Sequence, residues 1–170
     1  MGATVRNYQI AKAELERHLR QFMGGKFVTV GVHEDAGMHQ PSEPGAQAVP
    51  MAQVAALNNY GNPHNTLDGR PAPVPARPFL IPGVESAQQD IKDAVIEAIQ
   101  RGATLDETLN NIGAFAAGGV QQYMTDLKTP PNATYTIEQK GSSNPLIDTG
   151  ALRASITWKI TAQEPEEGMS

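Results

Sequence analysis

An α+β fold is predicted by three features of the sequence: a small, mostly antiparallel sheet packed against several helices, with a long Pro-rich arm or loop. Two distant stretches, 26–32 and 155–161, alternate apolar and polar residues with the period of a half-buried strand. Four others repeat apolar residues at three- and four-residue steps, as amphipathic helices do. Between Asn62 and Pro82 lie six prolines, each fixing φ and restraining the residue before it.

In chain order, residues 4–23 read as a helix with Tyr8, Ala11, Leu15, Leu19 and Phe22 on one side and Glu14, Glu16, Arg17 and Arg20 elsewhere, stopped by Gly24-Gly25. Lys26 to Val32 is a strand with Val28, Val30 and Val32 on one face. An irregular loop follows from His33 to about Val49. Pro50 suits the first position of a helix ending at Tyr60-Gly61. The run Pro71 to Pro78 must be largely extended, as an arm or a loop crossing a surface.

Two long helices come next. In 83–101, Val84, Ala87, Ile91, Val95 and Ala98 line one face and Ile99 widens it. In the second, Thr104 and Glu107 form a capping-box signature, and Leu105, Leu109, Ile112, Ala116, Val120, Tyr123 and Leu127 make the stripe. Gly113, Gly118 and Gly119 inside it each cost roughly 1 kcal/mol relative to Ala, a cost that close approach of another backbone would offset. Thr129-Pro-Pro-Asn132 ends the helix. Thr134 to Lys140 fits a short helix or a strand equally. Ser155 to Thr161 alternates, with Ile156, Trp158 and Ile160 facing one way and Thr157, Lys159 and Thr161 the other. Residues 1–163 therefore form one domain, with 164–170 as a flexible acidic tail.

Composition narrows the function. The chain has 170 residues, enough for one domain with a real core. Only 18% are charged, below the roughly 25% usual for soluble domains, while Gly and Pro number 16 and 13. Such a chain suits a subunit that buries surface against neighbours. A net charge of -5 and no basic run argue against a grip on nucleic acid, whose phosphates are held mainly by Lys and Arg. Without cysteine there are no disulfides or thiolate sites. No stretch reaches the ~18 apolar residues of a membrane span, and the N-terminal run lacks the apolar core of a signal peptide. A soluble protein, made where it acts or assembles, is expected.

Leu146-Ile-Asp-Thr-Gly-Ala151 is the feature that most suggests chemistry. In aspartic proteases an Asp on such a loop pairs with a second Asp, the two sharing a proton. No second Asp-Thr/Ser-Gly exists here, and only twenty residues follow Gly150. The same residues have a structural use: Asp148 or Thr149 can accept hydrogen bonds from free N–H groups of a turn carrying Leu152 and Arg153, with Gly150 permitting a tight backbone. That use is the stronger reading.

The other constellations are weaker. His33, Glu34, Asp35 and His39 share a loop but lack the helical spacing of a metal site. Ser142-Ser143 and His64 lack a nucleophile elbow. Lys128, Lys140, Arg153 and Lys159 read as ordinary surface charge. No metal or cofactor is expected. Arg77 and Phe79, at the end of a rigid arm, have the character of interface anchors, since a rigid arm loses little entropy on docking; Pro78 and Leu80 complete that candidate interface. Against this stands the alternative that Phe79, Leu80 and Ile81 pack into their own core.

The block Asn144-Pro-Leu-Ile-Asp-Thr-Gly-Ala-Leu-Arg-Ala-Ser-Ile156 resembles the C-terminal signature of a tailed-bacteriophage family of virion morphogenesis proteins, variously tail completion, neck or head–tail joining proteins. Pro75-Ala-Arg-Pro-Phe-Leu80, preceded by Asn58-Asn-Tyr-Gly61, is similar to a second family motif, and Lys140-Gly141 to a third. Order and spacing match over roughly 25–161, the loop from His33 to Pro50 being a departure. The resemblance implies a helical turn before Gly141 and a non-enzymatic virion protein, assembled in the bacterial host cytoplasm. It would form a homo-oligomeric ring in contact with the head–tail connector and with the tail tube or tail terminator, and DNA would pass through the lumen without specific binding. A tail terminator capping the tube is the alternative within this class; outside it stand a proteolytic enzyme (the Asp-Thr-Gly protease) or a metal-dependent one, and an acidic binding module that acts on a bacterial host protein.

Overall fold

The longest helix, Leu105–Asp126, gathers most of the other helices and the longest strand pair around it. A computed structural model of the chain describes residues 25–40, 47–67, 69–132, 137, 144–146 and 150–163. Five helices are used below: α1 (Met51–Tyr60), α2 (Leu80–Ser86), α3 (Gln88–Gln100), α4 (Leu105–Asp126) and α5 (Ala151–Ala154). Strand β1 (Phe27–Gly31) pairs antiparallel with β6 (Thr157–Thr161), Phe27 opposite Thr161 and Gly31 opposite Thr157. Two shorter antiparallel pairs are β2 (Met38–His39) with β3 (Val49–Pro50), and β4 (Thr66–Leu67) with β5 (Arg70–Pro71). The fold is α+β, with its small sheets antiparallel.

Helix α4 starts at the predicted capping box. The Glu107 N–H donates to Thr104 Oγ1 at 3.3 Å, and the Thr104 N–H donates back to the Glu107 carboxylate at 2.8 Å. That returned backbone bond holds the Glu107 carboxyl below its ordinary pKa. Thr108, Gly113, Ala116, Ala117, Val120 and Met124 are its buried positions. Against them pack α2, α3, α5, β1 and β6. The core joins Val120 and Met124 to Phe79, Leu146, Leu152 and Ile156, with Met51 and Ala55 of α1.

The helix expected over 83–101 is two helices, broken at Ala87 (φ -89°, ψ 3°). The first begins at Leu80, and Pro82 sits in its first turn, where an N–H would have no intrahelical partner. Val84, Ala87, Ile91, Val95 and Ala98 are covered as expected. Ile99 does not widen that face: it is 48% exposed, turned about 100° from Ala98 by the helical pitch. Pro50 is the N-cap of α1 rather than its first residue, and Gly61 ends that helix at φ 74°.

The glycines of α4 have three different surroundings. A Cβ on Gly119 would lie 2.6 Å from the Gly83 carbonyl oxygen and 2.6 Å from Ala87 Cβ; one on Gly83 would meet Val120 Cα at 2.6 Å. Here two helix backbones touch. Gly113 instead gives way to the Trp158 side chain, and Gly118 faces open space. The sheet alternation has the predicted phase, but Trp158 is not fully buried. Its ring lies over Gly113 and its Nε1–H donates to Asn110 Oδ1 at 3.2 Å, leaving the residue 36% exposed. The indole is too wide to be covered by one helix and a two-stranded ribbon.

Among the described residues no helix is long and apolar enough to cross a membrane. The expected helix over 4–23, the segment 134–140, Lys140-Gly141 and the tail 164–170 lie outside the described residues, save for position 137.

Gly119→Ala is expected to cost about 1–3 kcal/mol, as overpacking does. Gly118→Ala is expected to add up to about 1 kcal/mol, the ordinary helix gain. Urea denaturation of both variants checks this; the same sign for both would contradict the close crossing.

Candidate functional site

The described parts of 58–61, 75–80 and 144–156 come together at one junction, built outward from α1. Met51, Ala55 and Asn59 form its buried stripe. Asn59 is polar on an apolar stripe because its Oδ1 accepts from the backbone N–H of Phe79 (3.0 Å) and Leu80 (3.4 Å). Asn59 thus caps α2 from another helix, where the N-cap residue Phe79 has no side-chain oxygen to offer. One step on, the Arg77 N–H donates to the Asn58 carbonyl at 2.8 Å. At Gly61 a Cβ would stand 2.6 Å from the Ala76 nitrogen, so only glycine lets the two segments close.

The Pro-rich segment folds back on itself. Asn62 and Val74 exchange backbone bonds of 2.8 and 2.9 Å, and Asn65 holds Ala72 through both its carbonyl and its side-chain amide, each at 2.8 Å. From this hairpin the chain enters the core at Arg77. The guanidinium donates from Nε to the Pro130 carbonyl (2.9 Å) and from Nη2 to the Pro131 carbonyl (3.0 Å) and Asn132 Oδ1 (3.3 Å). Its fork fits this turn as a point charge would not. Burial lowers its pKa from the ordinary value, yet Arg stays protonated. Asn132 passes the connection on, donating to the Asn144 carbonyl at 3.3 Å; Asn144 donates to the Thr125 carbonyl of α4 at 2.8 Å and its Oδ1 accepts from the Leu146 N–H at 3.0 Å. Leu146, Leu152 and Ile156 then enter the core that holds Phe79.

These positions correct the expected anchor role. Arg77 is 5% exposed and Phe79 0%; side chains enclosed by their own chain have no surface to give a neighbour. Pro78 stays exposed, and Leu80 is half-buried against the core. Asp148 and Thr149, where the capping was expected, lie outside the described residues. Gly150 has the left-handed backbone (φ 79°) that a tight turn requires and is followed directly by α5. Leu152 is buried, and the exposed Arg153 reaches Thr125 Oγ1 at 3.4 Å.

The loop cluster is tied to the sheet. His33 bonds Thr157 Oγ1 through Nδ1 and Thr29 Oγ1 through Nε2, each at 3.1 Å, and Asp35 pairs with Lys159 at 2.8 Å. Among the described residues no three His, Asp or Glu side chains are grouped to hold a metal. Lys159 is thus committed to Asp35, while Lys128 donates to the Thr125 carbonyl. Ser142 and Ser143 lie outside the described residues. Sequence reading missed the amides Asn59, Asn132 and Asn144. Only Asn59 left a signal: a polar residue at the third point of the 51, 55, 59 stripe.

The junction's polar groups are amides, carbonyls and one guanidinium, none of which exchanges protons near neutral pH. Its chemistry is adhesion: it holds α1, the arm, the 130–132 turn, the 144–146 segment and α4 in one arrangement. Comparison with protein-family models, with curated proteins and with solved structures gave no match.

Two outcomes are expected. Arg77→Ala should destabilise the monomer by about 3 kcal/mol, since charge-assisted bonds are lost and buried carbonyls are left unpaired, and Arg77→Lys should recover only part. A thermal midpoint unchanged by Arg77→Ala would contradict the internal role. The second concerns pH. Burial, then Lys159, lowers the His33 pKa, partly opposed by Asp35. The unfolded chain therefore takes up the proton first: the contribution is complete above about pH 6.5 and is lost as pH falls through the folded-state pKa. Denaturation midpoints should drop between pH 7.5 and 5 in the wild type and drop less in His33→Gln.

Proposed function

We propose that the chain is a structural virion protein at the head–tail interface of a tailed bacteriophage, a subunit of a ring in the neck or one that completes the tail for joining to the head. One observation carries this reading. Of the segments that resemble the family, 58–61, 75–80, 144–146 and 150–156 lie among the described residues, spread over nearly a hundred positions, and they meet in one hydrogen-bonded junction and one core. Chance likenesses would have no reason to converge; residues that specify one folded unit would.

The charge supports the same reading. At -5 the chain does not attract the phosphate backbone, which suits a ring whose lumen lets DNA slide without holding it. Such a ring needs heterologous contacts that close, made with copies of itself and with the head–tail connector on one side and the tail tube or its terminator on the other.

Deleting the gene from the phage or prophage that carries it should leave DNA-filled heads and full-length tails unjoined in electron micrographs, with joining restored by expression in trans. Tails of uncontrolled length would point to the terminator instead. Uncleaved virion proteins, restored by the wild type but not by Asp148→Asn, would overturn the structural reading in favour of the protease.

A further inference from the structure

The outward side of α1 is unusual for a surface helix. Its exposed and half-exposed positions include Gln53, Ala56, Leu57 and Tyr60, and its ten residues contain no charged side chain. Solvated helix faces normally carry charge. Leu57 is 38% exposed and Tyr60 60%. With Asn62 and Asn65 from the base of the hairpin, these four residues line an open groove of ≈ 470 Å³.

Beside it stands the other half of a contact. Pro71, Pro73, Pro75 and Ala76 are exposed, and the hairpin bonds at Asn62, Asn65, Ala72 and Val74 hold this stretch extended before any partner arrives. Aromatic-lined grooves take rigid, extended Pro-rich segments because little entropy is lost on docking. The two surfaces also match in charge. Neither the groove nor Pro71–Ala76 carries an acidic or basic side chain that would be stranded without a partner.

We propose that the groove of one subunit receives the Pro71–Ala76 segment of a second copy. The contact joins two different patches and is therefore heterologous, so repeating it builds a ring when the rotation between copies closes. It rests on the ring reading given above and supplies that ring's contact. The arm keeps the role between subunits that its prolines suggest, carried by the exposed prolines while Arg77 and Phe79 root it in its own subunit. Tyr60 is the central aromatic, its hydroxyl free to rotate toward a carbonyl of the incoming segment.

Sedimentation velocity tests this with the full chain. Tyr60→Ala breaks the groove, and Pro73→Glu puts a carboxylate where the groove offers no partner. Both positions are exposed, so unchanged urea midpoints will confirm intact monomers. The wild type should form one ring species, and each variant alone should associate at least about tenfold more weakly. An equimolar mixture should give 1:1 pairs, because one intact arm still meets one intact groove. Variants that assemble like the wild type, a mixture that stays monomeric, or a wild type that stops at a dimer would each overturn the contact. So would a monomeric wild type whose Tyr60 resonances are unmoved by a millimolar synthetic 69–76 peptide. Rings built through this contact but absent from virions would sink the phage reading and leave the contact standing. Rings in virions indifferent to both substitutions would do the reverse.

Discussion

Where α2 crosses α4, Gly83 and Gly119 let two helix backbones touch, and most of the fold is arranged by that approach. It sets the start of α2 deep against α4, which drops Phe79 among Val120, Met124 and Ile156. Because α2 begins at the buried Phe79, the Phe79 N–H is out of reach of water and needs a partner. Asn59 of α1 supplies it, and the position of α1 follows. A side chain at either glycine would push the helices apart by more than any rotation of a neighbour could absorb.

The second constraint is the path of the proline-rich segment. Proline removes donors and fixes φ, so a segment of this kind contributes little to ladders. The chain compensates with amides from outside the proline positions: Asn62, Asn65, and the carbonyl of Asn58 receiving Arg77. Arg77 in turn satisfies two carbonyls of the Pro130-Pro131 turn, which would otherwise be short of donors because prolines have none. Two proline-rich stretches more than fifty residues apart are thus completed by one guanidinium. The same rigidity leaves the arm's outer prolines presented to solvent.

Surface character divides along the same lines. The outer faces of α3 and α4 carry charge, among it Asp90, Asp93, Glu97, Asp106 and Glu107, whereas α1 has none. The polar side of the β1–β6 ribbon is fastened to the loop that follows β1 through His33 and through the Asp35–Lys159 pair. That pair is exposed, and such surface pairs contribute little by themselves. Together with the hydrogen-bonded His33 it orders the start of the 33–50 loop.

What the sequence determined by itself is what depends on neighbours along the chain. Strand alternation at 27–31 and 157–161, the Thr104/Glu107 cap, the helical stripe of α4 and the stop at Gly61 are all local, because period and capping are set within a few residues. Even the excess of glycine in α4 was legible as a sign of close packing, though not which glycine met what. Tertiary structure decided the rest. It chose Gly119 for a backbone and Gly113 for an indole, left Gly118 in the open, broke the 83–101 helix at Ala87, and turned Arg77 and Phe79 inward. None of these has a local signature. An Arg before Pro-Phe reads the same whether its acceptors are another subunit's or its own Pro130 and Pro131, since what distinguishes the two is the position of carbonyls fifty residues away.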